Sequence, residues 1–255
     1  MYLSQEEVCQ FNRVGFIVIR GFFSHREMTQ LQVWLQEMQD RAFGNTQEAR
    51  YYEQSEAAGG SLLVRIENIL EERNKRFRDL LINERMSGVL AELLGEAPLL
   101  FKEKANYKLP GCRADKLHQD QAAGWNAFTD FFISVGIMVD PNREDNAAIS
   151  FMDSGNYKKE LMTDEWLPLS EDDPPYRPEE EYVLLEGDPG DVVFFDSYVP
   201  HGSPPNRSSR SRRNLFLTFN RASAGNLRDR YYDEKWRTYP PNESSAAREA
   251  KTFRV

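Results

Sequence analysis

From position 99 onward the chain is a succession of short strand-like runs with no helical stretch between them. The runs cover 100–109, 129–139, 147–152, 182–186, 191–195 and 213–220. They are rich in β-branched and aromatic residues, and turn residues separate them: Pro110-Gly111, Pro141-Asn142, Gly155-Asn156 and Gly187-Asp188-Pro189-Gly190. Strands that follow one another without crossover helices pair antiparallel, and this many of them close into a sandwich or barrel.

The segment before these strands reads differently. Residues 15–23 (GFIVIRGFF) form a short buried strand, and Ser24 with Glu27 makes the capping box of a helix. Met28, Leu31, Leu35 and Met38 give that helix an apolar stripe. A second helix runs over about 83–94, with Gly95 as its stop. Residues 43–60 are polar and expected to be a loop or lid. The Asp/Glu/Pro-rich stretch 155–181 is expected to be a solvated insertion, and the charged segment after Ala222 mixed helix and coil.

With 255 residues and no visible linker, the chain is expected to be a single domain. Its parts would be a helical N-terminal portion (about 1–97), a β core (about 98–222) and a C-terminal extension (223–255). A hydrophobic fraction of 40% supplies a sizeable core. The net charge of -9 argues against a nucleic-acid binder, which needs a basic face, and more weakly against a large polyanionic substrate, although a local basic pocket could override the latter. Cys9 and Cys112 are far apart and outside any CxxC pair, as expected of reduced thiols. The N-terminus lacks the plan of a signal peptide, and no apolar run approaches the roughly 20 residues that span a bilayer. A cytoplasmic protein, acting on a small molecule and not on nucleic acid or membrane, is the expectation.

There are three histidines. His25 lies beside a helix cap and reads as an exposed polar residue. His118-Gln119-Asp120 is an H-x-D triplet; on an extended segment its first and third side chains share a face. His201 follows the strand-like GDVVFFDSYVP, 81 positions after Asp120, and is the natural third ligand. Two imidazoles and one carboxylate with open positions suit non-haem iron(II), and zinc in a hydrolase as well. Arg212, 11 positions after His201, begins another strand and can clamp a carboxylate bidentately. A hydrolase has no use for such a clamp, whereas a metal-chelating dicarboxylate co-substrate does.

The stretches FKEKANYKLPG, LHQD and GDVVFFDSYVPHGSPPNRSSRSRRNLFLTFNRAS resemble the phytanoyl-CoA dioxygenase family of iron(II)/2-oxoglutarate oxygenases. They resemble most a subgroup that includes 2-aminoethylphosphonate dioxygenase. The likeness runs from residue 15 to about Pro241. It implies a mainly β double-stranded β-helix, a cupin-like jelly roll with flanking α-helices. It implies Fe(II) on His118, Asp120 and His201, and 2-oxoglutarate on Arg212 with Ser203 as hydroxyl partner; Arg213 is the adjacent alternative. Substrate C–H oxidation with O2, releasing succinate and CO2, follows. With a carboxylate at position 120, hydroxylation is expected rather than halogenation.

Further roles implied by the resemblance are less specific. Along 101–109 one face carries Lys102, Lys104, Asn106 and Lys108, the other Glu103, Ala105 and Tyr107. Alignment on the Pro-Gly turn favours the second face, with Tyr107 as a co-substrate contact or else as core packing. Arg65 is either a co-substrate contact or a plain surface arginine. Trp125 is either a wall of the substrate pocket or core, and Asn220 is a further substrate contact. GCRADKLHQD and NAAISFMDSGNYK depart from the subgroup pattern and leave the substrate open: an aminophosphonate, or an amino-acid-derived natural product. A jelly roll that binds a small molecule without turning it over is the non-enzymatic alternative.

Overall fold

The computed structural model describes residues 1–41, 48–155, 158–163 and 166–241, with the backbone alone at residue 73. Its strands are β1 (Phe16–Ile19), β2 (Ala49–Ser55), β3 (Gly60–Glu67), β4 (Pro98–Lys108), β5 (Asp115–His118), β6 (Ile133–Met138), β7 (Ile149–Met152), β8 (Tyr182–Leu185), β9 (Val192–Asp196), β10 (His201–Ser203) and β11 (Arg212–Arg221). They pair antiparallel in two sheets, ordered β1-β9-β6-β11-β4-β3-β2 and β5-β10-β7-β8. From β4 onward the chain passes back and forth between the sheets, four strands to each. That interleaving is the jelly roll, and β1, β2 and β3 extend the edges of the larger sheet.

The helices are α1 (Gln5–Val14), α2 (His25–Asp40), α3 (Lys75–Leu81), α4 (Glu84–Leu94) and α5 (Arg228–Thr238). Ser24 accepts from the Glu27 amide in a full capping box, and Gly95 ends α4 in the left-handed conformation. The same chemistry starts α1, where Ser4 and Glu7 cap one another. Met28, Leu31, Trp34, Leu35 and Met38 of α2 pack on the outer face of the large sheet, against residues such as Tyr107, Ile137, Leu215 and Leu217. The opposite face of that sheet meets the small sheet through Phe195, Phe216, Phe151 and Ile149. A third cluster, Phe101, Trp125, Phe132, Tyr231 and Tyr232, seats α5 on the end of the sheets.

Two expectations change. The stretch expected to be a loop at 43–60 lies partly outside the described residues, but from Ala49 it is the β2–β3 hairpin. Its alternation is set by Tyr51, buried on one side, and by the pairing of Arg65 with Asn106 of β4. The segment 155–181 is not wholly solvated, because Trp166, Leu167 and Pro168 reach the cavity between the sheets. Among the described residues no helix is long and apolar enough to cross a membrane.

Gly190 turns the chain into β9 at φ +100°, and a Cβ there would lie 2.4 Å from the Phe23 carbonyl oxygen. Gly59, in the β2–β3 turn at φ +68°, has open space around it. Gly59→Ala is expected to cost only the ~1–2 kcal/mol of a left-handed alanine, and Gly190→Ala clearly more, because backbone must move. Urea denaturation of the two variants compares the costs; equal losses contradict the assigned clash.

Candidate metal centre and its cavity

β5 and β10 are neighbours in the small sheet, in a register that sets His201 opposite His118. Asp120 follows at the start of a 3-10 turn, after Gln119 in extended conformation. The two imidazoles are 4.4 Å apart between ring centres. The His118 and His201 Nε2 atoms stand 3.7 and 4.0 Å from the Asp120 Oδ1. The three ligand atoms all lie within 4.8 Å of one another.

The outer nitrogens are committed. His118 Nδ1 is 2.6 Å from the Lys116 carbonyl and His201 Nδ1 is 3.0 Å from the Val199 carbonyl. A carbonyl oxygen only accepts, so each Nδ1 carries the proton and each Nε2 keeps its lone pair for a metal. Burial pushes the His201 imidazolium down to about 4, so the ring is neutral at neutral pH. Burial alone would raise the Asp120 carboxyl, but the His201 ring, protonated in the acid range where the carboxyl titrates, outweighs it with Lys102 and Lys104 and holds it below the usual carboxylate range. Two imidazoles, each anchored through Nδ1 and with Nε2 turned to the shared position, and a carboxylate on one side of a cavity fit a facially coordinated divalent metal.

The cavity runs from this triad along the inner faces of β4 and β11. Arg212 lines it, is 3% exposed, and has no hydrogen-bond partner at Nε among the described residues. Burial pushes its guanidinium down to about 10, still charged at neutral pH. Ser203, also on the wall, donates to the Asp115 carboxylate at 2.8 Å, and the Lys108 Nζ reaches the same oxygen at 2.8 Å. Arg213, the alternative clamp, turns outwards and holds Asp140 with two hydrogen bonds of 2.8 and 2.9 Å. Arg65 lines the cavity, its guanidinium 4.8 Å above the Tyr51 ring and its Nε 3.1 Å from Glu67.

Three other expected contacts turn their polar groups to other partners. Tyr107 borders the cavity, but its hydroxyl donates to the Leu35 carbonyl of α2 at 3.0 Å, on the helix side of the sheet. Because Ala105 and Tyr107 pack under the helices, the inner face of β4 is Lys102, Lys104, Asn106 and Lys108, the reverse of the expected choice. Trp125 is core, edge-on to Phe101 and Phe132, and meets the cavity residue Lys102, whose Nζ sits 4.2 Å from its ring centre. Asn220 is fully buried at the end of β11, where its amide donates to the Arg221 and Gly225 carbonyls and holds the turn into α5.

Several cavity residues were not singled out from sequence. Lys102 and Lys104 were visible as one face of a strand, and the apolar Ala105 and Tyr107 on the other face were the available signal. Trp166, whose ring is edge-on to His118 at 5.4 Å, and Tyr239, stacked on Tyr51 at 5.3 Å, close the cavity from distant segments and carried no local signal.

A model of the phytanoyl-CoA dioxygenase (PhyH) family matches residues 11–214. A 2-aminoethylphosphonate dioxygenase from an uncultured bacterium is 33% identical over 240 residues, 94% of this chain and 90% of the relative. A methylphosphonate hydroxylase from Gimesia maris is 29% identical over 253 residues, 99% and 94% of the two chains. Among solved structures, EctD from S. alaskensis with 2-oxoglutarate and 5-hydroxyectoine aligns at a TM-score of 0.70 and 21% identity, over 88% of this chain and 78% of that one. The likeness in fold, the share of the chain that the family model covers and the identity to the bacterial dioxygenase agree: this protein belongs to the phytanoyl-CoA dioxygenase family.

Proposed function

We propose that the protein is an iron(II)- and 2-oxoglutarate-dependent dioxygenase that hydroxylates or otherwise oxidises a C–H bond of a small polar molecule, releasing succinate and CO2. The observation that carries this reading is the pairing, in one cavity, of the His118, Asp120 and His201 triad with a buried arginine whose Nε lacks a partner. His118 and His201 offer Nε2 lone pairs, oriented by their backbone-bonded Nδ1 atoms, and Asp120 offers a carboxylate oxygen. Arg212, with Ser203 beside it, offers a cationic fork to the distal carboxylate of 2-oxoglutarate. Bound iron(II), with 2-oxoglutarate as electron donor, supplies the activation of O2. The protein holds the co-substrate and substrate in line and screens them from water with Trp166 and Tyr239.

The carboxylate of Asp120 occupies the third protein position, which supports a hydroxylated and not a chlorinated product. The two bacterial relatives named for phosphonates make small phosphonates the first candidates for the substrate. A zinc hydrolase leaves the open Nε of the buried Arg212 without a purpose, and the intact triad beside it weighs against a non-catalytic binding protein.

Anaerobic reconstitution with iron(II), followed by O2, is expected to give one iron per chain and succinate from 2-oxoglutarate; His118→Ala is expected to lose both. A protein that binds neither iron(II) nor 2-oxoglutarate overturns the reading. The two neighbouring arginines separate clamp from scaffold. Arg212→Ala is expected to raise the KM for 2-oxoglutarate by about tenfold or more, the scale of a lost charge-assisted pair. Arg213→Ala is expected to leave that KM unchanged and to cost on the order of 1–3 kcal/mol in urea denaturation, through loss of Asp140. Tyr107→Phe, which removes only the bond to Leu35, is expected to leave the KM unchanged too. A rise in KM with either of the last two variants contradicts the placement of these side chains.

A further inference from the structure

We infer that Lys102 and Lys104 form the head-group site for the primary substrate, and that they select a tetrahedral dianion of the phosphonate class. The inference rests on the dioxygenase reading above and adds to it the residues that choose the substrate.

The cavity has two cationic ends. In the β4–β11 register Lys108 faces Arg212, whereas Lys104 faces Phe216 and Lys102 faces Thr218. At about 3.3 Å per residue, Lys104 is ~13 Å and Lys102 ~20 Å along the strand from Lys108. At the Lys108 end Asp115 takes the Lys108 ammonium at 2.8 Å and sits opposite Ser203, and β5 runs from there away to His118, opposite His201. The triad therefore lies on the Lys102 and Lys104 side of the co-substrate clamp. A co-substrate stretched from the metal to Arg212 leaves the lysine side for the molecule to be oxidised.

Both lysines lack an anion. Lys102 is 4% exposed, its Nζ has no hydrogen-bond partner among the described residues, and aromatic rings of Trp125 and Tyr231 flank it at 4.2 and 5.6 Å. Lys104 makes no ion pair among the described residues, and its Nζ rests 5.4 Å from the Phe216 ring centre. The nearby carboxylate of Glu67 is already held by Lys235 at 2.6 Å and Arg65 at 3.1 Å. Asp120 is turned to the metal position. A dication there adds to the positive field instead of relieving it, so the missing negative charge must arrive with a ligand. Burial pulls both lysines below the usual ammonium range, Lys102 well below it, and an anion beside them favours the charged forms again, so the pair matches a dianion better than a monoanion. The hydroxyls of Ser134 and Thr218, 2.9 Å apart on the same wall, can serve a third oxygen. Three oxygens around one centre describe a phosphonate, whereas a carboxylate has two.

A matched pair of probes tests this. The protein loaded anaerobically with iron(II) and 2-oxoglutarate is titrated by calorimetry with ethylphosphonate and with propanoate, which differ only in the head group. Ethylphosphonate is expected to bind at least about tenfold more tightly. Lys102→Met and Lys104→Met are each expected to weaken ethylphosphonate by about tenfold or more while leaving the Kd of 2-oxoglutarate unchanged. Lys102→Met is expected to melt at the same temperature as the unaltered protein or higher, because an unpaired buried ammonium gives way to an apolar group of similar shape. Equal binding of the two probes, or unchanged ethylphosphonate affinity in both variants, overturns the inference. Weakened 2-oxoglutarate binding in the variants also overturns it, since the lysines then serve the co-substrate. A lower melting temperature of Lys102→Met with unchanged affinity assigns that lysine to the core. If the unaltered protein binds neither iron nor 2-oxoglutarate, the dioxygenase reading fails by itself, and the lysine site is judged on ethylphosphonate binding to the metal-free protein, which needs neither.

Discussion

The pairing of β11 with β4, from Arg212 opposite Lys108 to Arg221 opposite Pro98, is the constraint on which the rest of the structure depends. Both strands are covered on both sides, by helices outside and by the small sheet inside. Alternation then leaves no freedom: Leu215, Leu217 and Phe219 must go outwards to the helices if Arg212, Phe216 and Thr218 go inwards. A slip of one residue would bury Arg213 in the cavity, deprive Asp140 of its guanidinium and turn the apolar set of β11 away from α2. The place of Arg212 in the cavity is therefore fixed by the packing of α2 as much as by anything in the cavity.

That dependence explains what was legible in the sequence. The triad could be read because His118 and Asp120 are two apart, which extended backbone turns into one face, and because His201 and Arg212 each stand at the start of a strand. The strands β4, β6, β7, β8, β9 and β11 were visible from residue type and turns. The choice of face along β4 was not, because it is made by which side the helices cover, a fact about residues 70 positions away in sequence: Tyr107 donates to Leu35. Trp125 and Asn220 were misplaced for a similar reason. Both sit beside the cavity in sequence terms, but α5 packs against that end and draws Trp125 into its own cluster, and the turn after β11 takes the amide of Asn220. The β2–β3 hairpin was hidden by its polar composition, since it is an edge extension with one solvated face.

An acidic chain with a basic interior is the other consequence of the same geometry. The net charge is -9, yet seven cationic side chains line the cavity against three carboxylates. Taking unpaired charge out of water is costly, and a core of this size could have been filled with apolar residues at no loss of stability. Some of the cations are neutralised locally, as Lys108 is by Asp115 and Arg113 by Glu53. Among the described residues Arg212, Lys102 and Lys104 make no ion pair, and they line the same cavity as the triad. On the proposed reading, anions that enter the cavity during the working cycle supply the charge these side chains lack.

Alternation around the metal triplet has one more effect. As His118 and Asp120 face inwards, Gln119 between them faces the other way, and its buried amide is fully engaged. It donates to the Glu160 and Tyr198 carbonyls at 2.8 and 2.6 Å and accepts from the Met162 amide at 2.7 Å. The acidic insertion is thereby tied to the metal strand itself, and the Leu169 amide repeats the tie by donating to the Leu117 carbonyl at 2.8 Å. Between these two anchors lies Trp166, against His118. A segment whose composition reads as solvated thus forms a wall of the cavity beside His118, because three consecutive residues of the chain present two candidate ligands on one side and a clasp for the cavity wall on the other.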